Sequence, residues 1–93
     1  TICIATQRAL YEKMISNVKE VKAREATVLG IVRASDTHSR HSMDELIYVP
    51  ETLDELMPVA TIVPMQLLSY HIARLNGCEI DQPRNLAKSV TVE

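Results

Sequence analysis

The sequence predicts an α/β fold, namely the second half of a doubly wound, three-layer domain with a mainly parallel sheet. Short runs of apolar and β-branched residues recur along the chain. An amphipathic helical pattern separates the first two runs, and the second run is apolar almost without interruption, as is typical of a strand covered on both faces. Strand, helix and strand within about thirty residues form a βαβ unit. We therefore divide the chain into residues 1–80, half of one domain, and residues 81–93, an irregular C-terminal tail.

The first strand and the first helix occupy the N-terminal quarter of the chain. The stretch "TICIA" at residues 1–5 is strand-like from its first residue, with neither a turn nor an initiator methionine before it, so we expect a piece of something longer. Thr6 is predicted to cap the helix that follows. The apolar positions of that helix recur on one face: Leu10, Met14, Val18 and Val21. This face should pack against the sheet.

Two further strands are predicted at residues 27–32, "TVLGIV", and at residues 46–49, "LIYV". Pro50 ends the second of them because proline cannot donate a hydrogen bond to a neighbouring strand. Residues 34–44 between the two strands are polar and predict a loop. These elements extend the sheet to three strands.

A long helical region is predicted between the third strand and the tail. Thr52 and Glu55 have the spacing of a capping box at its start, and Gly77 suits a left-handed stop at its end. Pro58 and Pro64 each remove a backbone donor inside this region. We therefore expect a short first piece, then a kink or a break, and a strong final helix that starts near Pro64.

Composition excludes several classes of function. The chain has 93 residues and a formal net charge of -2, and its ten Lys and Arg are spread along it, so no basic patch for nucleic acid or an anionic membrane is present. No apolar run approaches the roughly 20 residues of a membrane helix, and no secretory leader is recognisable. We expect a cytoplasmic protein with neither nucleic acid nor a membrane as partner. Gly30 and Gly77 are the two glycines, which disfavours a glycine-rich phosphate loop.

The cysteines and histidines give weak signals. Cys3 and Cys78 lie far apart in sequence, and we interpret them as two free, largely buried thiols in preference to a disulfide. His38 and His41 lie in the polar loop, where zinc would need further ligands, so a solvated loop is favoured and no metal is predicted. His71 lies on the apolar face of the final helix. We favour a core residue bonded through one ring nitrogen to a backbone carbonyl over a buried base.

The tail "DQPRNLAKSVTVE", residues 81–93, draws attention to Lys88. The neighbours of this lysine include Leu86, Ala87 and Val90, which favour a partly dry site. Desolvation lowers the pKa of an amine toward the range in which it attacks a carbonyl, and such chemistry suits an imine with a keto sugar. The alternative is a solvated chain end whose lysine has no special role.

Three stretches of the chain resemble one enzyme family. They are "LYEKMISNVKEVKAR" at residues 10–24, "VPMQLLSYHIARLNG" at residues 63–77, and the tail. Together they closely resemble the C-terminal part of the glucosamine-6-phosphate synthases, also called glutamine:fructose-6-phosphate aminotransferases. That family commonly has a glycine pair where this chain has "EATVLG", residues 25–30. The resemblance implies a partial sugar-isomerase (SIS) domain.

The resemblance also implies an activity and roles for three tail residues. Family members convert fructose 6-phosphate and glutamine into glucosamine 6-phosphate and glutamate in hexosamine biosynthesis, and no cofactor is expected. Lys88 matches the lysine that forms an imine with the open-chain ketose, and Ala87 would place its backbone beside the sugar. Arg84 matches an arginine near the passage for ammonia between two domains. The implied partners are the sugar phosphates, upstream glutaminase and isomerase domains, and a second copy in a homodimer.

The other catalytic groups of that family lie in upstream motifs that this sequence does not contain. They are the phosphate cradle, a glutamate base and a ring-opening histidine, whose place His71 does not take. We therefore expect these 93 residues alone to be inactive. An alternative function is a non-catalytic regulatory or interaction module of sugar-isomerase fold that binds a sugar phosphate or a partner, with the tail as a docking strand. A third interpretation is a structural remnant with exposed apolar faces.

Overall fold

The computed structural model describes residues 1–81 of the 93-residue chain and has an α/β architecture. We number its strands β1 to β3 and its two α-helices α1 and α2. In chain order they are β1 Ile2–Ala5, α1 Tyr11–Lys22, β2 Leu29–Arg33, β3 Glu45–Val49 and α2 Met57–Leu75. Short 3-10 turns at Arg8–Leu10, Ser39–His41 and Asp54–Leu56 precede α1, β3 and α2. The three strands lie close to their predicted positions, although β2 begins and ends later than the pattern indicated.

The three strands form one parallel sheet in the order β1-β2-β3. Ile4 pairs with Ile31, which pairs in turn with Ile47, so these residues share one face of the sheet. Cys3 and Gly30 pair on the opposite face. Because the strands are parallel, their carboxyl ends lie along one edge, which we call the carboxyl edge. Ligands bind at this edge in open α/β sheets.

The two helices lie on opposite faces of the sheet. On one face, Val18 of α1 belongs to a buried cluster whose members are Cys3, Ala5, Val18, Val28, Val32 and Met43. On the other face, Met57 of α2 packs with Ile31 and Val49. Adjacent residues of β2 thus enter different clusters, as the strand period of two requires. The described residues therefore form three layers, and each fully buried Val or Ile contributes about 1.5–3 kcal/mol.

Gly30 allows the α1-side cluster to close around the middle of β2. A Cβ atom at this position would overlap the sulfur of Met43 and lie 3.0 Å from Cδ2 of Leu46. Met43 itself is 5% exposed. Met43 therefore fills the space that a side chain at position 30 would occupy.

The start of α1 differs from the prediction. Thr6 does not cap this helix, because a 3-10 turn intervenes and the N-cap residue is Leu10, which makes no side-chain capping bond. Thr6 is instead buried, and its carbonyl oxygen accepts a hydrogen bond from Arg33. Leu10 is 56% exposed, so its place on the apolar face was also wrong. The remaining members of the predicted face pack on the core: Met14, Val18 and Val21.

The end of α1 contains a strained residue. Glu25 has a φ of +63°, in the left-handed region that favours glycine. This conformation lets the N–H of Ala26 donate to the carbonyl oxygen of Val21 at 3.3 Å, and the N–H of Glu25 donate to that of Lys22 at 2.9 Å. The chain thus makes a glycine-type helix end with a glutamate.

The start and the middle of α2 also differ from the prediction. Thr52 and Glu55 do not form a capping box, since neither the preceding turn nor α2 has a side-chain capping bond. Pro64 lies inside a helix that runs without interruption from Met57 to Leu75, so a break there and a helix start near Pro64 are both wrong. Pro58 lies in the first turn, where a backbone N–H has no helical partner in any case.

The end of α2 confirms the predicted stop. Gly77 has a φ of +70°. Its N–H donates to the carbonyl oxygen of Arg74 at 3.1 Å, and the N–H of Cys78 donates to that of Ala73 at 2.8 Å. This pair of bonds is the Schellman arrangement, which needs a left-handed residue at the position of Gly77.

The surface of α2 is apolar around most of its circumference. Its exposed large apolar residues are Val59, Ile62, Val63, Leu67, Tyr70, Ile72 and Leu75. The stretch Asp54–Leu75 is long and apolar enough to cross a membrane by length and composition, a test that core helices of soluble proteins also pass. The expectation that no apolar run reaches this length was therefore wrong. A helix that is apolar all round belongs in a buried environment.

Candidate functional site

A crevice opens at the carboxyl edge, beyond the ends of β1 and β2. Its volume is about 260 Å³. The polar residues that line it are Thr6, Gln7, Arg8, Tyr11, Arg33, Ser35, Asp36 and His38. Since this edge is the usual ligand position in parallel α/β sheets, the crevice is the candidate site of the described residues.

Arg33 is the buried cation of this crevice, with a side chain that is 6% exposed. Its Nε donates to the carbonyl oxygen of Thr6 at 2.7 Å. One Nη donates to the Glu51 carboxylate and to the carbonyl oxygen of Thr52, both at 3.0 Å, and the other donates to Asp54. One guanidinium therefore joins the end of β1, the end of β2 and the segment that leads into α2. We call this arrangement the Arg33 clamp.

Glu51 is the most strongly perturbed carboxylate of the described residues. The Ser35 hydroxyl donates to it at 2.5 Å and the Ser35 N–H at 2.9 Å, and Arg33 donates to its second oxygen. These bonds, with the Ser35 hydroxyl first, lower the pKa of Glu51 to about 2. The exposed Arg8 lies 3.6 Å away. Glu51 is thus ionised at neutral pH and ties the loop after β2 to the loop after β3.

Asp36 organises the loop between β2 and β3. Its carboxylate accepts from the N–H of His38 at 2.9 Å, from the N–H of Ser39 at 2.8 Å and from the Ser39 hydroxyl at 2.6 Å. Partial burial opposes ionisation, but these bonds outweigh it and lower the pKa of Asp36. Ser39 is fully buried and also bonds the Tyr11 hydroxyl at 2.9 Å. The loop that was predicted to be solvated is therefore anchored to α1.

The polar groups of the crevice mostly satisfy one another. Every nitrogen of the Arg33 guanidinium has a partner, and the N–H groups of His38 and Ser39 point at Asp36. A phosphate cradle needs N–H groups or cations that are available to the ligand. Among the described lining residues, Arg8 is an exposed cation, but its guanidinium already lies 3.6 Å from the Glu51 carboxylate. The arrangement is suited to holding loops in place, and it does not build a phosphate cradle.

Metal ligands and reactive thiols are the next groups of interest. Within residues 1–81, no group of three or more His, Cys, Asp or Glu is placed to hold a metal ion. His38 and His41 are exposed. Both cysteines are free, as predicted, but Cys78 is exposed and was wrongly expected to be buried. Burial raises the pKa of the Cys3 thiol, which makes it a poor nucleophile.

His71 is exposed on α2, so its interpretation as a core residue was wrong. Its ring meets that of Tyr70 edge to face, with the ring centroids 5.2 Å apart. Apolar neighbours in sequence indicated a buried face, but the described residues do not cover this part of the helix.

The predicted site residues Arg84, Ala87 and Lys88 lie outside the described residues. Their assigned roles therefore stay predictions. Sequence reasoning did not single out Arg33, although one signal marked it: a charged residue ends an otherwise apolar parallel strand. At that position the side chain reaches the carboxyl edge, and a buried charge there needs partners.

Curated relatives cover nearly the whole chain. It is 53% identical over 92 residues to a protein of Caldanaerobacter subterraneus subsp. tengcongensis named glutamine-fructose-6-phosphate aminotransferase (isomerizing). Proteins of the same name from Bacteroides thetaiotaomicron and Thermus thermophilus are 53% and 49% identical over 92 residues. The chain is homologous to a fragment of this enzyme. The match covers 99% of this chain, including the tail, and 15% of the length of each relative. No family model matches the chain.

Proposed function

We propose that this chain is the C-terminal part of the isomerase portion of a glutamine:fructose-6-phosphate aminotransferase. Residues 1–80 would form the C-terminal half of a sugar-isomerase subdomain, and residues 81–93 a tail that enters the active site. The observation that carries the proposal is the 46–53% identity over 92 residues to proteins of that name. The parallel sheet with a helix on each face supports the fold part of the proposal.

In the proposed reaction, the full-length enzyme converts fructose 6-phosphate and glutamine into glucosamine 6-phosphate and glutamate. The amine of Lys88 attacks C2 of the open-chain ketose, and water leaves as the C=N bond forms. Ala87 places its backbone beside the sugar, and Arg84 lies near the passage for ammonia. This chemistry needs no cofactor. We further propose a cytoplasmic homodimer that contacts neither nucleic acid nor a membrane.

The 93 residues alone are proposed to be inactive. The crevice at the carboxyl edge supports this view, because Arg33 and the N–H groups that face Asp36 are already bonded inside the protein. The phosphate of the sugar must then be held by another part of the enzyme. Transition-state stabilisation requires those groups and Lys88 in one geometry.

The test is borohydride trapping on the full-length enzyme. Fructose 6-phosphate and borohydride should leave a reduced sugar-phosphate adduct on the peptide that contains Lys88. Lys88→Arg should lower kcat by about 10² or more, roughly 3 kcal/mol of transition-state stabilisation, while fructose 6-phosphate still binds. Lys19→Arg, on the exposed side of α1, is the matched control and should retain full turnover.

The opposite outcome would support the alternative of a non-catalytic module that binds a sugar phosphate. If calorimetry shows fructose 6-phosphate bound to the full-length protein but no adduct forms and Lys88→Arg keeps its turnover, Lys88 does not form an imine. Steady-state turnover by the isolated 93 residues would contradict the proposal that the rest of the enzyme supplies the other catalytic groups.

A further inference from the structure

The segment between β3 and α2 has no regular secondary structure, and side chains from the first two strand ends hold it in place. Arg33 donates to Glu51, to the carbonyl oxygen of Thr52 and to Asp54. The side-chain amide of Gln7 donates to the carbonyl oxygen of Asp54 at 3.0 Å. Since α2 follows directly after the 3-10 turn that contains Asp54, these bonds fix the start of α2 relative to the ends of β1 and β2.

The Arg33 clamp fixes a direction as well as a distance. The guanidinium is planar, and its donors point along set directions. One side of the plane is bonded to Thr6 after β1, and the other side is bonded to the segment before α2. The side chain of Arg33 is 6% exposed, so water does not readily replace these partners. A lysine at this position would offer a single ammonium and could not hold all of them at once.

The helix that starts at the clamp is long and unbroken. α2 has 19 residues and is therefore about 28 Å long. In the described residues it packs on the sheet through Met57, Ala60 and Met65, which all lie in its first half. A rotation of about 5° at the first turn would move the far end of such a helix by about 2 Å. The position of the end of α2 thus depends on how its start is held.

We infer that Arg33 is a positioning residue for the proposed reaction. It sets the direction of α2 and, through α2, the place at which the tail leaves the helix after Gly77. This inference rests on the proposed function, in which the tail brings Lys88 to the open-chain ketose. A misplacement of about 1 Å at the reacting atoms can cost about 10² in rate. Every nitrogen of the guanidinium is bonded within the chain, so Arg33 acts through α2 and not by contact with the sugar.

A positioning role differs in its kinetics from two other roles of Arg33. If Arg33 only stabilised the fold, its loss would lower the unfolding temperature and leave kcat of the folded enzyme unchanged. If Arg33 bound the sugar phosphate, its loss would raise the Kd of fructose 6-phosphate. A positioning residue lowers kcat and leaves that Kd unchanged, because the phosphate is held by another part of the enzyme.

The test compares Arg33→Met and Arg33→Lys with the parent in the full-length enzyme, at a temperature at which each is folded. Arg33→Met should lower kcat for glucosamine 6-phosphate formation by about fivefold or more, and Arg33→Lys by less than Arg33→Met. The Kd of fructose 6-phosphate, measured by calorimetry without glutamine, should stay within about twofold of the parent value. The rate at which borohydride traps the sugar on the Lys88 peptide should fall in parallel with kcat.

Two controls separate position from stability. Gly30→Ala disturbs the cluster on the α1 side, away from the clamp, and should retain the parent kcat although it lowers the unfolding temperature. Arg40→Met, at an exposed position, should change neither quantity. Gln7→Met removes a neutral hydrogen bond to the same segment and is the milder variant if Arg33→Met does not fold. It should lower kcat in the same direction at unchanged Kd.

Three results would overturn the inference: a smaller loss of kcat in Arg33→Met, a raised Kd, or an equal loss of kcat in Gly30→Ala. Where Arg33→Met does not fold, a parent-like kcat in both Gln7→Met and Arg33→Lys would overturn it. Failure of the proposed function is a separate result. If the parent enzyme itself forms no adduct on Lys88, the imine is refuted, and the inference that depends on it is refuted as well. If the parent forms the adduct and Arg33→Met forms it at the same rate, the imine stands and the positioning role is refuted.

Discussion

Replacing Arg33 with methionine tests the Arg33 clamp. Methionine has a similar length but no donors, so the carbonyl oxygens of Thr6 and Thr52 lose a charged partner, at about 1.5 kcal/mol each. The side chains of Glu51 and Asp54 are 38% and 43% exposed. Their carboxylates can bond water once the guanidinium is gone, so these two ion pairs add little to the loss. The expected loss of local stability is about 3 kcal/mol.

Hydrogen exchange in the full-length protein measures this loss directly. At about 3 kcal/mol, the amides at the carboxyl ends of β1 and β2 should exchange on the order of 10² times faster in Arg33→Met. Arg33→Lys should give an intermediate rate, because an ammonium cannot reach all the partners of the guanidinium. Arg40→Met, at an exposed position between β2 and β3, is the control. Protection in Arg33→Met within about threefold of the parent would show that the clamp contributes little.

Three further changes follow from particular residues. Glu25→Gly should stabilise the protein by about 1 kcal/mol in denaturant titration, since glycine adopts the φ of +63° without strain, and a lower midpoint would contradict this reading. The ionised form of Glu51, bonded by Ser35, stabilises the fold above pH 4.5, and this contribution should disappear as the pH falls toward about 2. Glu51→Gln should therefore flatten the acid side of the curve of stability against pH. Parallel curves for the parent and Glu51→Gln would contradict this prediction. Gly30→Ala should destabilise by about 1–3 kcal/mol because the new methyl displaces Met43, and thermal unfolding without a shift would mean that the cluster adapts.

The elements of the fold were predictable because they rest on local chemistry. Apolar, β-branched runs became β1, β2 and β3, and Gly77 took the left-handed position at the end of α2. The helix starts were predicted less well. Thr6 has the right residue type for a cap, but at the carboxyl edge β1 and β2 lie side by side, and the Thr6 carbonyl oxygen accepts a hydrogen bond from Arg33. Pro64 did not break α2, since a helix packed at its first turn tolerates one missing hydrogen bond.

Burial on α2 could not be predicted from periodicity alone. The apolar neighbours of His71 indicated a core position, yet its side chain is exposed among the described residues. In the described residues, α2 packs on the sheet through Met57, Ala60 and Met65, which all lie in its first half, and His71 lies beyond them along the helix. An apolar pattern states that a face should be covered, but not which part of the protein covers it.

The α/β class, the order of the strands and helices, and the close similarity of the tail to one enzyme family could all be predicted from the residues alone. These follow from residue patterns that are local in the chain. Only the tertiary structure revealed the Arg33 clamp, because its partners lie 27, 18, 19 and 21 residues from Arg33 and meet only when parallel strands end at one edge. The same holds for the crevice at the carboxyl edge, whose lining residues come from the end of β1, the start of α1 and the loop after β2.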